Sequence, residues 1–155
     1  MSNLFKLILI TSTAIASALA IRGFLFGADY SGVTLVQLGI VSLKLEYVIN
    51  TGVNFGIASA GTYPRQILLA TLAILVCAFI LIWGFRSNSG WSISVAGLFA
   101  GGGLANAFER IAYSGVFDYL NVSASFYENP FSFNLADIYI LLGLVAYIFR
   151  PTREA

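Results

Sequence analysis

Histidine does not occur in the 155 residues. Its absence removes Ser-His and Cys-His nucleophile pairs and His-based metal sites together. Cysteine is almost as rare. Cys77 stands alone inside an apolar run and can close no internal disulfide. Lysine occurs only at Lys6 and Lys44, which leaves a Ser-Lys hydrolase little to work with. Charge is scarce, at 10% of residues, where a soluble domain carries about 25%. The net charge of +1 leaves no basic patch to neutralise phosphates, so nucleic acid is not an expected partner.

What fills the chain is hydrocarbon: 59% of residues are hydrophobic and the mean hydropathy is +0.87. This is the composition of a membrane protein. Leu4–Ile21 is the first apolar run, with Lys6 near its start and Arg22 just past its end. The small residues Ala16–Ala20 also fit the end of a cleavable signal peptide; a retained helix is the expectation. Ile67–Phe85 is a second run, 19 residues long, enough to cross about 30 Å of hydrocarbon. Pro64 and Arg65 lead into it, and a polar turn at 86–90 leaves it between Trp83 and Trp91, at the level where aromatic belts sit. A third helix then runs to about residue 112 and holds Gly101–Gly103, a triplet read as close helix packing. The fourth follows a polar, aromatic connection at 113–132.

Between the first two runs the texture changes. Glycines punctuate β-prone pieces, and Ser42–Val48 alternates polar and apolar, the period of a half-buried strand. The expected fold is therefore an all-α membrane bundle of four transmembrane helices, at about 4–22, 66–85, 91–112 and 133–150. A small extracytoplasmic sheet at about 28–61 lies between helices one and two, and residues 1–155 make one domain. If the helices alternate, Lys6, Arg86, Arg150 and Arg153 face Glu154 on one side. Arg22, Lys44, Arg65 and Arg110 share the other side with Asp29, Glu46, Glu109, Asp118, Glu128 and Asp137. The net charges of +3 and −2 make the first side cytoplasmic by the positive-inside rule, with both termini inside and the acids outside.

The acids carry the chemistry. An ionised Asp at mid-helix costs about 3 kcal/mol on insertion scales, so acids at that depth face an interior or a water-filled cavity and a function is expected. Asp118 and Asp137 are read as a two-carboxylate hydrolytic site. Asn106 and Arg110, four apart on the third helix, share a face with Gly102 and Gly103. Asp118 follows where that helix should be giving out. Plainer readings stand beside these: Asn134 as a helix N-cap with Asp137 in the first turn, and Asp118 as a solvated loop acid.

At these residues the chain resembles the prolipoprotein signal peptidases, or signal peptidase II, bacterial membrane aspartyl proteases. Three blocks carry the likeness. Asn50-Thr51-Gly52-Val53-Asn54-Phe55-Gly56 is similar to N-x-G-A-A-F-[GS]. Gly102–Arg110, continuing to Gly115-Val116-Phe117-Asp118, is similar to G-G-A-x-G-N-x-x-D-R followed by G-x-V-V-D. Phe133-Asn134-Leu135-Ala136-Asp137 matches F-N-x-A-D, and the spacing of the two aspartates, 19 residues, is the family's. Two departures stand out. The Asp and Lys that the family carries on the first helix are missing, with Arg22 the one cation there, and the family's Asp before the Arg is Glu109.

The resemblance implies Asp118 and Asp137 as catalytic residues. It implies Asn50, Gly52, Phe55, Asn106, Arg110 and Asn134 as substrate-binding residues and Glu109 in support. No metal or cofactor is called for. The implied partners are membrane lipids and a lipid-modified precursor whose transmembrane signal peptide is cut just before a diacylglyceryl-cysteine. The cyclic peptide globomycin would be an inhibitor. The implied place is the bacterial inner membrane, with the site at the periplasmic face and the enzyme a monomer. Two rival functions are a relative that cleaves another membrane peptide and a non-catalytic membrane scaffold.

Overall fold

The structure, a computed structural model, describes residues 2–27, 30–52, 62–87 and 89–149. Four helices and four strands follow in the order α1 (Asn3–Phe26), β1 (Thr34–Leu38), β2 (Val41–Asn50), α2 (Tyr63–Arg86), α3 (Gly90–Tyr113), β3 (Val116–Ala124), β4 (Ser132–Phe133) and α4 (Leu135–Ile148). α1 and α2 are long and apolar enough to cross a membrane: 24 residues each, or about 36 Å at 1.5 Å per residue. α4 is apolar but has 14 residues. α3 is less apolar for a structural reason. It packs against α1, α2 and α4, and half of its length is buried among them.

The glycine triplet is what lets α3 hold that central place. Successive residues of a helix are rotated by about 100°, and the three glycines accordingly meet three different helices. A Cβ on Gly101 would lie 2.5 Å from Ala14 Cβ of α1, one on Gly103 would lie 2.5 Å from Cys77 Sγ of α2, and one on Gly102 would collide with the carbonyl oxygen of Ala136 in α4. The packing reading of the triplet is therefore met at each position. At the end away from the sheet, Leu7, Ile93 and Ala96 form an apolar layer with Ile80, Leu81 and Trp83. Nearer the sheet, Ala18, Ala105 and Ala136 bring α1, α3 and α4 together.

The sheet corrects two expectations. It does not lie wholly between α1 and α2, because its strands run β1-β2-β3-β4, all antiparallel, and the last two come from the α3–α4 connection. With four strands beside the helices, the chain is not all-α. Period-2 reasoning missed β3 because Val116–Tyr119 is buried on both faces, which erases the alternation that marks a half-buried strand. Asp118 accordingly lies in a strand, not at the failing end of a helix. The seam between sheet and helices is aromatic. Phe117 meets Phe26 edge-on at 5.3 Å and Tyr47 at 4.8 Å, while Leu45, Tyr119, Leu25 and Leu135 pack around it.

Candidate active site

Strand register places the first carboxylate. In the β2–β3 pair Val48 lies opposite Asp118 and Asn50 opposite Val116, after a bulge that shifts the register between Leu45 and Val48. Side chains alternate along a strand, so Asn50 and Asp118 are diagonal neighbours on one face. The amide of Asn50 donates to Asp118 Oδ2 at 2.9 Å. Its carbonyl accepts the backbone N–H of Gly52 at 2.8 Å, which fixes which end of the amide meets the acid. Gly52 has a φ of +78°, where a side chain is strained, and a Cβ there would lie 2.9 Å from Leu69 Cδ1 and 3.4 Å from Arg110 Nη1.

A helix end holds the second carboxylate. Asn134 caps α4, accepting the N–H of Asp137 on its side chain at 3.1 Å, and Asp137 Oδ2 accepts the N–H of Asn134 at 3.0 Å. This reciprocal capping box is the plain reading of F-N-L-A-D. It does not exhaust either residue. Asn134 Nδ2 also donates to Asp118 Oδ1 at 2.8 Å and to Asn106 Oδ1 at 3.2 Å, and Asn106 Nδ2 donates to Asp137 Oδ1 at 2.8 Å. One asparagine therefore touches both acids, and a second closes the ring from α3.

Asp118 is 3% exposed, which rules out a solvated loop acid. Burial pushes its carboxyl up to about 6 from an ordinary 3.8, and the nearby Asp137 and Glu109 act in the same direction. The bonds from Asn50 and Asn134 pull the other way, since both favour the ionised form. Tyr119, the next residue, is buried as well and its phenol is pushed up to about 12; its hydroxyl accepts the N–H of Leu135 at the start of α4.

Arg110 and Glu109 make their hydrogen bonds outside the pair. Arg110 Nη1 donates to Gln66 Oε1 of α2 at 2.8 Å. The shared face expected of α3 thus splits, with Gly102 and Asn106 serving α4 while Gly103 and Arg110 serve α2. Glu109 Oε2 accepts the N–H of Phe117 at 2.9 Å and pairs with Arg22 Nε at 3.4 Å. Arg22 is also seated over the rings of Tyr113, at 3.7 Å, and Phe26, at 4.4 Å. α1 and α3 are therefore bridged by the first helix's one outer cation and the one-methylene-longer acid.

Phe55 lies outside the described residues. Gln66, fully buried, was missed from sequence because it immediately precedes the apolar run and reads as its polar flank.

The family model for signal peptidase (SPase) II matches residues 25–152. The chain belongs to the signal peptidase II family. Membership indicates a protease, and a membrane protein. Among similar proteins, the lipoprotein signal peptidase of Methylocella silvestris is 33% identical over 116 residues, covering 73% of this chain and 66% of that protein. Those of Rhodopseudomonas palustris strain TIE-1 and Methylorubrum extorquens are each 32% identical, over 127 and 135 residues, covering 76% and 84% of this chain and 76% and 75% of theirs. The alignments thus take in about two thirds to three quarters of these relatives. In fold the peptidase is similar to a bacterial membrane enzyme solved by the in meso method, with a TM-score of 0.74 at 17% identity over 96% of this chain and 94% of that one.

Proposed function

We propose that the chain is an aspartyl endopeptidase that removes the signal peptide from diacylglyceryl-modified prolipoproteins, with Asp118 and Asp137 activating water between them. One observation carries the reading: two acids from distant elements, a strand and a helix end, share Asn134 as a hydrogen-bond partner. Neighbouring carboxylates do not both ionise cheaply, so the pair holds one proton. Burial raises Asp118, but the coupled pair titrates as a unit, so one acid holds the proton while the other serves as the base. The base takes a proton from water, which attacks the scissile carbonyl. The acid hydrogen-bonds the carbonyl oxygen and later protonates the leaving amine. Asn106 and Asn134 hold the acids in place, and Asn50, Gly52 and Arg110 line the approach of the peptide.

The four helices all span the inner membrane, with both termini cytoplasmic and the sheet on the periplasmic side. Charged residues at the helix ends support the spans: Arg22, Arg110, Arg65 and Asp137 occur at the sheet end, and Lys6 and Arg86 at the opposite one. Both acids come from one chain, so the pair is complete without a second copy. In a Cys77→Ala background, an impermeant thiol reagent should label Lys44→Cys or Glu128→Cys and spare Ser87→Cys; labelling at Ser87→Cys would overturn the topology. The deciding experiment is cleavage of a purified lipidated precursor in detergent, with and without globomycin. Wild type should cut and be blocked, and Asp118→Asn and Asp137→Asn should each fail. Near wild-type processing by either variant would end the two-aspartate reading.

A further inference from the structure

Gln66 is a wholly buried polar side chain in the first turn of a lipid-crossing helix, and both ends of its amide are used. Its oxygen accepts Arg110 Nη1 at 2.8 Å, and its nitrogen donates to the backbone carbonyl of Thr51 at 2.5 Å. Thr51 sits between Asn50, whose amide meets Asp118, and Gly52, whose N–H sets the direction of that amide. Arg110 in turn lies against Gly52, where a Cβ would approach it at 3.4 Å. The segment 50–52 leaves the sheet at the end of β2, so beyond the ladder it needs other groups to fix its course. From α2, Gln66 holds the Thr51 carbonyl of that segment together with the neighbouring guanidinium of α3.

We infer that Gln66 is a positioning residue of the active site: it clamps the Asn50–Gly52 turn against Arg110 so that the Asn50 amide stays on Asp118. The inference rests on the proposal that Asp118 is a working acid. An amide is the side chain for this place, because it offers one acceptor to a cation and one donor to a carbonyl. Glutamate has the same shape and keeps the acceptor, but it turns a second oxygen toward the Thr51 carbonyl. Methionine has similar length and removes both bonds.

The test is a set of variants in the full-length enzyme, assayed on a fluorescent diacylglyceryl-peptide in detergent across pH 5 to 9. Gln66→Met should lower kcat by about 10-fold or more while KM moves less than about 3-fold, the range expected when a general-acid contribution of 10²-fold or more is partly lost. The alkaline limb of its pH profile should move to higher pH, because the Asn50 bond favours ionised Asp118 and its loosening raises the acid. The limb should move the same way in Asn50→Ala, and the double variant should be no worse than Asn50→Ala alone. Gln66→Glu should show the same limb shift in milder form, and decides the matter if Gln66→Met does not fold. A wild-type profile in the Gln66 variants, a loss confined to KM, or full additivity with Asn50→Ala would overturn the inference. Those outcomes are read against Asp118→Asn. If that variant is inactive, the clamp alone has failed; if it is active, the two-aspartate reading has failed first.

Discussion

The two ends of the helix group bury different things. Away from the sheet, Leu7, Ile93 and Ala96 meet Ile80, Leu81 and Trp83, and the polar group caught there, Ser92 Oγ, is the one buried side-chain atom without a hydrogen-bond partner among the described residues. Under the sheet, Gln66, Glu109, Asp118, Asn121 and Asn134 are all buried within 4% exposure, and each has a partner. A buried unpaired polar group costs about 1–3 kcal/mol, and more when charged. The apolar end tolerates one hydroxyl at that level. The sheet end is organised so that each of these buried amides and carboxylates is partnered, and the price is a network in which few members can change alone. The apolar end is a packing problem, whereas the sheet end is a matter of matching donors to acceptors.

Asp118→Asn and Asp137→Asn should break the contrast most, each lowering cleavage of the lipidated precursor at least ~10²-fold at saturating substrate, the low end for one general acid–base contribution. Glu109→Gln is the control. It touches Phe117 N–H and Arg22 rather than Asp118 or Asp137, so its loss should be smaller; a larger loss would move the site toward Glu109.

Arg110→Lys should come next, at about 10-fold, in a protein that remains folded. Lysine keeps the charge but not the planar fork that reaches Gln66. Full activity of this variant, measured beside wild type on the same precursor, would remove Arg110 from the site.

Stability offers two further comparisons, read as melting temperatures in detergent. Gly102→Ala puts a methyl group on the Ala136 carbonyl and should cost about 1–3 kcal/mol as overpacking. Ser92→Ala, at the apolar end, removes an unpaired hydroxyl and should be neutral or slightly stabilising. A Gly102→Ala protein as stable as wild type would mean that α3 and α4 part without cost.

The last comparison is in pH. Asp118 is raised from 3.8 to about 6, so between those values the folded protein retains a proton that the unfolded chain releases. Its contribution to stability is fully present below about pH 3.8 and is lost as pH rises through about 6. The wild-type melting temperature should therefore fall by a few degrees more than that of Asp118→Asn between pH 4 and pH 7. Parallel curves would remove the raised acid.

Local signals sufficed wherever a structure is held by residues near one another in the chain. The long apolar runs placed α1 and α2, the triplet Gly101–Gly103 announced a helix crossed closely by others, and Asn134 three residues before Asp137 announced a cap. The alternation at Ser42–Val48 found β2. Motif blocks in order were enough to name the family. Tertiary structure decided the rest, because it depends on pairings across many residues. The first half of β3, Val116–Tyr119, is buried on both faces and so carries no period of its own, and only the register against β2 brings Asn50 to Asp118. Gln66 reads as the edge of a hydrophobic run until α3 supplies Arg110 and the β2 exit supplies a carbonyl. Arg22 and Glu109, 87 residues apart, become a bridge only when α1 lies against α3. Composition and spacing report which groups must be hidden from lipid; the packed chain alone determines which donor meets which acid.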